Sequence, residues 1–232
     1  RSAHRNEAAS RAAGCEVRLL ESVGGGSICQ AWRGLADGEP VFVKLAPRGS
    51  TGMFAAERAG LDELRLGGCR VPRALGHNDG ALVLEWVDRG HGSGFAADLG
   101  RGLAEQHRVT RPACGFDTDN FIGATPQPNP QMVSWREFYR DHRLGYQQEL
   151  LRNAGRCSLE LDNALDRLKA RLGELIDDEP ASLLHGDLLT GNAMPDKAGR
   201  AVLYDPAVYY GAREADLAMT ELFGSFGPAF WR

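Results

Sequence analysis

The chain has 232 residues, 43% of them hydrophobic and 25% charged, with a net charge of −4. That length can bury a sizeable core as one domain or two small lobes, and the composition is globular rather than disordered. Acids and bases are interspersed, so no broad basic field marks a nucleic-acid partner, and no apolar run approaches the roughly 18 residues that span a bilayer.

Residues 1–14 are polar and Ala-rich, without the apolar centre of a signal peptide. The first residue is Arg1 rather than Met, and the chain is expected to be a fragment. Residues 17–23 have strand character and run into Gly24-Gly25-Gly26-Ser27, and 28–33 read as a return strand. Ala36-Asp37-Gly38 is a turn before the β-branched strand 41–45. Residues 53–66 carry Phe54, Leu61 and Leu64 at helical spacing, and Gly67-Gly68 stops that helix. Two further strands, 73–76 and 81–86, flank Asn78-Asp79-Gly80, a hairpin signal.

The second half is mostly helical. Residues 93–107 form a helix on the stripe Phe95, Leu99, Leu103, and 111–130 are a long loop containing Asn120. Helices follow over 135–153 and 159–176. Then come the stretch 183–192, a turn at 195–199, a strand at 202–204 and a last helix at 213–223. The expected class is α+β, with an antiparallel sheet and one helix in a lobe of residues 1–87 and a helical lobe of residues 88–232. Five cysteines, an odd number without C-x-x-C spacing, point to reduced thiols in a cytoplasmic protein. Cys29, beside the glycines, could be sensitive to oxidation, but the favoured reading is a small strand residue.

The chemistry concentrates in Leu184-His185-Gly186-Asp187, Asn192 five residues beyond Asp187, and Asp205 thirteen residues beyond Asn192. An acid, an amide and a second acid in that order suit phosphoryl transfer. One carboxylate meets a hydroxyl, while the amide oxygen and the other carboxylate hold magnesium on nucleotide phosphates. Asp187 is thus the candidate base, and Asn192 and Asp205 are the candidate metal ligands.

Lys44 lies inside an apolar strand, where an unpaired ammonium is costly. Glu57 on the next helix is its candidate partner, and Lys44 would then meet phosphates. Taken alone, Lys44 could equally face solvent from an edge strand. Gly24, Gly25, Gly26 and Ser27 could cover phosphates with backbone N–H groups or could be only a hairpin turn. Glu85-Trp86-Val87 ends a strand where backbone groups could meet an adenine edge.

Beyond these residues the chain resembles the fructosamine kinase (ketosamine kinase) family, a branch of the protein-kinase-like fold beside the aminoglycoside phosphotransferases. The resemblance rests on Gly24-Gly25-Gly26-Ser27-Ile28, Val41-Phe42-Val43-Lys44, Met53-Phe54-Ala55-Ala56-Glu57, Arg70-Val71-Pro72-Arg73 and Asp119-Asn120-Phe121-Ile122-Gly123. It continues in Leu184-His185-Gly186-Asp187, Asp205-Pro206-Ala207-Val208-Tyr209-Tyr210-Gly211 and the stretch into Asp216. It implies a two-lobed fold and ATP-dependent, magnesium-dependent phosphorylation of a ketoamine, free or protein-linked, usually at the sugar 3-hydroxyl, with deglycation as the result. His185 and Asp216 would then brace the catalytic loop, and Asn120 would contact the sugar. The family pattern continues past Arg232, so a C-terminal truncation is expected. The same residues also suit a neighbouring aminoglycoside- or choline-type kinase, or a non-catalytic nucleotide-binding fragment.

Overall fold

Period-two alternation lays out the first half of the chain. The computed structural model describes residues 2–24, 28–47 and 50–232. Helix α1 (Ser2–Ala13) precedes strands β1 (Val17–Val23), β2 (Gln30–Ala36) and β3 (Glu39–Leu45). Helix α2 (Met53–Leu64) separates these from β4 (Ala74–His77) and β5 (Ala81–Glu85). The five strands form one antiparallel sheet in the order β1-β2-β3-β5-β4. Between β2 and β3 the turn residues Asp37 and Gly38 both have positive φ, 47° and 89°, as a two-residue type I′ hairpin requires.

Each face of the sheet has its own helix. Val41, Val43 and Leu45 of β3 join Ala81 and Val83 of β5 under α1, which contributes Ala9 and Ala12. Leu82 and Leu84 face the other way, towards Phe54, Leu61 and Leu64 of α2. Alternation therefore turns Lys44 to the α2 side. Helix α1 is not among the helices that periodicity predicts, because five alanines among polar residues make a weak stripe. It docks closely: a Cβ on Gly76 would stand 1.9 Å from Ala12 O.

The second half opens with α3 (Phe95–Gln106) and β6 (Thr110–Arg111). The expected long loop contains a small hairpin, β7 (Asn120–Ile122) and β8 (Thr125–Gln127), whose three-residue strands are too short to show a period. The helix over 135–153 is present as α4 (Trp135–Tyr139), a π-helical stretch Arg140–Gly145, and α5 (Tyr146–Asn153). The one expected over 159–176 breaks at Arg171 into α6 (Leu159–Ala170) and α7 (Leu172–Leu175). Strand β9 (Ala181–Leu184), hairpin β10 (Ala193–Pro195) and β11 (Ala201–Leu203), strand β12 (Tyr209–Gly211) and helix α8 (Glu214–Leu222) follow, with β12, β9 and β6 forming a three-stranded sheet. The α+β class read from the sequence is the observed one.

Helix α2 serves both halves. One buried cluster runs from Phe54, Leu61 and Leu64 to Phe138, Leu183, Leu184, Tyr209 and Tyr210. A second joins Leu99 and Leu103 of α3 to Leu188, Leu203 and Phe230. Among the described residues no helix is long and apolar enough to cross a membrane.

Phe138 lies at the centre of the shared cluster with no exposed surface. Phe138→Ala is expected to cost about 3–5 kcal/mol, seen as a lower urea midpoint. A midpoint shift under about 1 kcal/mol would mean that this cluster does not join the two halves.

Candidate active site

A lysine turned inward from β3 requires anions; one comes from the next helix and one from the far end of the chain. Lys44 Nζ donates to Glu57 Oε1 at 2.6 Å and to Asp205 Oδ1. The Lys44 and Glu57 side chains are only 11% and 13% exposed. Burial alone would lower the lysine pKa, but the charges of Glu57 and Asp205 outweigh it and hold it well above the ordinary value. Burial pushes the Glu57 carboxyl up, and the Lys44 ammonium opposes that rise. The structure thus brings together Lys44 and Glu57, as the sequence predicts, and adds Asp205.

Strand β9 delivers His185, Gly186 and Asp187 at its end. Helix α8 places Asp216, almost fully buried, behind them. Asp216 Oδ2 accepts from His185 N at 2.8 Å and Oδ1 accepts from Gly186 N at 2.9 Å. Oδ2 also meets His107 Nε2 at 3.0 Å, a partner that nothing in the sequence marks. His185 is fully buried and used at both ring nitrogens. Nδ1 accepts from Asp187 N at 3.2 Å, so Nε2 carries the proton and donates to Tyr204 O at 3.0 Å. Burial lowers the His185 pKa and keeps the ring neutral. Gly186 has φ of 82°, and a Cβ there would stand 1.9 Å from Ala207 O, so the loop has room only for glycine.

The acid–amide–acid set converges next to this loop. Asn192 Nδ2 donates to Asp187 O at 2.7 Å and to Asp187 Oδ2 at 3.2 Å. Tyr204 N donates to Asn192 O at 3.1 Å, which sets Asn192 beside the residue preceding Asp205. Asp205 adopts φ of 54°, a left-handed conformation that aspartate tolerates. Burial raises the Asp187 pKa, Asp205 adds to the rise, and the Asn192 amide opposes it. The donor set suits a magnesium ion shared with phosphates. The Asn192 amide oxygen carries no hydrogen bond among the described residues, and the Asp205 side chain is 41% exposed with Oδ2 unspent. Magnesium is commonly held by one or two such oxygens plus substrate phosphates. Among the described residues no group of three His, Cys, Asp or Glu side chains could hold a metal unaided.

Other expected positions fall as follows. Gly24 stands in open space, while Gly25, Gly26 and Ser27 lie outside the described residues. Trp86 and Val87 leave the sheet half-buried at the end of β5. The Glu85 carboxylate accepts from Arg70 Nη2 at 3.0 Å, and the Trp86 indole donates to Asp88 Oδ1 at 2.9 Å. These side chains are occupied, and any adenine contact there falls to backbone groups. Burial raises the Cys29 thiol pKa, which works against a reactive thiolate at this position.

Asn120 corrects the expectation of a sugar contact. It is 5% exposed; Nδ2 donates to Val208 O at 2.6 Å, and Oδ1 accepts from Gln127 Nε2 at 2.8 Å and Asn129 Nδ2 at 2.9 Å. Gln127 Nε2 also donates to Ala207 O at 3.1 Å, and Arg143 Nη2 donates to Asn129 Oδ1 at 2.7 Å. Both ends of the Asn120 amide are spent inside the protein, holding the backbone that follows Asp205. Gln127, Asn129 and Arg143 were invisible as site residues because their partners come from separate elements.

Comparison with known proteins gives a consistent result. The sequence profile described as fructosamine kinase matches residues 2–232. A Synechocystis protein named probable ketoamine kinase slr1563 is 42% identical over 234 residues, covering 96% of this chain and 78% of its own. The chloroplastic protein-ribulosamine 3-kinase of Arabidopsis thaliana is 38% identical over 228 residues, covering 93% of this chain and 66% of its own. The crystal structure of a candidate fructosamine-3-kinase from Thermobifida fusca superposes with a TM-score of 0.84 at 34% identity, covering 99% of this chain and 80% of that one. The macrolide 2′-phosphotransferase MphH of Brachybacterium faecium, 15% identical with a TM-score of 0.60 over 99% of this chain and 80% of its own, shares the fold alone.

The neutral His185 makes stability depend on pH. Its folded pKa lies below the unfolded value of about 6.5, so its contribution is complete above about pH 6.5. Below that pH the unfolded chain takes up a proton that the folded chain refuses, and stability falls until the folded pKa is reached. Urea midpoints are expected to drop between about pH 7 and pH 5, and to drop less in His185→Asn. Equal slopes in the two proteins would assign the titration to another group.

Proposed function

Because the chain belongs to the fructosamine kinase family, we propose that it transfers the terminal phosphoryl group of ATP to a sugar hydroxyl of a ketoamine. The observation that carries this reading is the convergence of Lys44, Glu57 and Asp205 beside the Asp187–Asn192 pair. The ketoamine and ribulosamine kinases among the relatives support the acceptor class. The 3-kinase in the Arabidopsis name supports the sugar 3-hydroxyl, and its protein-ribulosamine supports an acceptor linked to protein. A 3-phosphate leaves more readily than a hydroxyl, so the adduct would break down and free the amine.

Residues 1–87 act as the nucleotide-binding lobe and 88–232 as the catalytic and substrate lobe. ATP would supply the phosphoryl group, and magnesium, when bound, would neutralise phosphate charge. Asn192 and Asp205 would hold the metal through their free oxygens. Lys44, kept charged and fixed by Glu57, would meet the phosphates. Gly24 to Ser27 would cover those phosphates, and the backbone of Glu85 to Val87 would meet the adenine edge. Asp187 orients the acceptor hydroxyl and takes its proton as the new O–P bond forms and the bond to ADP breaks. Its raised pKa makes it a better proton acceptor than an exposed aspartate. Asp216 and His185 fix the backbone of that loop and do not touch the substrate. The five cysteines are free, which supports a reducing, cytoplasmic setting.

The test is magnesium-dependent ADP release with a ribulosamine or fructosamine of lysine. Turnover is expected, and Asp187→Asn is expected to lower it about 10²- to 10⁴-fold with ADP binding kept. ADP binding without turnover on either ketoamine would sink the acceptor assignment. Full activity in Asp187→Asn would remove Asp187 from the mechanism.

A further inference from the structure

The two proposed metal ligands stand at the feet of one small hairpin. Asn192 directly precedes β10, and Asp205 lies two residues past β11. The far end of the hairpin carries Asp196, which is 2% exposed. Its Oδ1 accepts from Ala198 N at 2.9 Å and Arg200 N at 3.0 Å, and its Oδ2 accepts from Arg200 Nε at 3.0 Å and Arg70 Nη1 at 2.9 Å. The other arm of Arg70, Nη2, donates to Glu85 Oε1 at 3.0 Å on the last residue of β5. One guanidinium thus bridges the tip of the metal-ligand hairpin and the start of the segment proposed to meet adenine.

Backbone pairing reinforces the bridge. Arg70 N donates to Ala201 O at 3.1 Å, and Leu203 N donates to Arg70 O at 2.9 Å, so the Arg70 backbone lines the β11 edge. On the β10 edge Gly90 N donates to Pro195 O at 2.8 Å. A Cβ on Gly90 would stand 2.1 Å from Asp196 O, so the approach is as close as glycine permits. Strands of three residues are marginal by themselves, and their position is set by what borders them. The buried Asp196 carboxylate is paired with two arginines, Arg200 from its own hairpin and Arg70 from outside it, so Arg70 is the cation that ties this hairpin tip to another part of the chain. Arginine is suited to the task because its planar fork can serve two carboxylates at once, whereas a lysine is a point donor.

We propose that Arg70 is a positioning residue for the nucleotide: by holding Asp196 and Glu85 together it fixes the span between the adenine-facing segment 85–87 and the metal-facing pair Asn192 and Asp205. This rests on the kinase reading of the site. A nucleotide carrying magnesium engages both ends of that span, while a metal-free nucleotide engages the metal-facing end weakly. Loss of the bridge therefore weakens the first more than the second.

The experiment is titration of the full chain with ADP, in magnesium and in EDTA, for the unsubstituted protein, Arg70→Met and Arg70→Lys, with thermal unfolding recorded for each. Arg70→Met is expected to weaken ADP binding about tenfold in magnesium and less than about threefold in EDTA, with Arg70→Lys intermediate. Where Arg70→Met does not fold, Arg70→Lys carries the same comparison. Equal weakening in the two buffers, or a lower unfolding temperature with unchanged affinities, overturns the positioning role and leaves Arg70 a purely structural residue. An unsubstituted chain that binds no ADP in either buffer overturns the nucleotide site and this proposal together. ADP binding without ketoamine turnover defeats only the acceptor assignment, and the magnesium-to-EDTA comparison still decides the role of Arg70.

Discussion

A lysine ammonium kept from water is the constraint on which the rest of this structure depends. Lys44 is turned inward by strand alternation, and it is stable there only with Glu57 from α2 and Asp205 from beyond β11. Removing one member of such a buried pair typically costs about 3–5 kcal/mol, because the remaining charge is left without a partner. Strand β3, the helix that follows it and a segment 161 positions from Lys44 are therefore locked at one point. That lock also explains why α2 packs against both halves. The helix that carries Glu57 has to reach the sheet and the segment after β11 together, and its apolar residues Phe54, Leu61 and Leu64 fill the space between them.

Around that point most buried polar groups are spent on backbone. Asp216 holds His185 N and Gly186 N, His185 holds Asp187 N and Tyr204 O, and the amides of Asn120 and Gln127 hold Val208 O and Ala207 O. Each of these bonds restricts a segment that presents Asp187 or Asp205. Among the described residues Asn192 Oδ1 and Asp205 Oδ2 carry no hydrogen bond, and they are the oxygens proposed to hold the metal. Such an arrangement lowers the reorganisation needed when charge moves, which is the usual source of electrostatic catalysis.

The sequence makes visible what depends on local pattern. Strands β1, β3 and β5 follow from strand-favouring runs beside turn residues, β-branched and aromatic in β3, helices α2 and α3 follow from a 3.6-residue stripe, and the inward Lys44 follows from a charge inside an apolar strand. Asp187, Asn192 and Asp205 are legible because their order along the chain is itself the signal. Hairpin β7–β8 and strand β12 escape because three residues carry no period. Helix α1 escapes because its buried face is alanine. The contacts that the sequence leaves unread share one property: His107 meets Asp216 across 109 positions, and Arg70, which lies in a stretch that carries the resemblance, meets Asp196 across 126. Such pairs depend on how separate elements are set against each other, and a single sequence does not encode that register in any local pattern. Asn120 shows the opposite error, since a polar residue in a distinctive motif invites a ligand-binding role when its partner is a buried carbonyl.

The π-helical stretch Arg140–Gly145 has a consequence for comparing this chain with others. A turn of that kind admits one more residue than an α-helical turn, so α5 is rotated by about 100° from the phase that α4 would have imposed. Arg143, inside this stretch, lies over the rings of Tyr209 at 4.0 Å and Phe138 at 4.6 Å and donates to Asn129. A relative one residue shorter here would have a straight helix with no arginine over those rings, and its equivalent of the β7–β8 hairpin would need a different anchor. An alignment that runs through 140–145 without a gap in such a case would shift every pairing along α5 by one residue, about 100° around the helix, and the mismatch would look like sequence divergence when it is a change of helical phase.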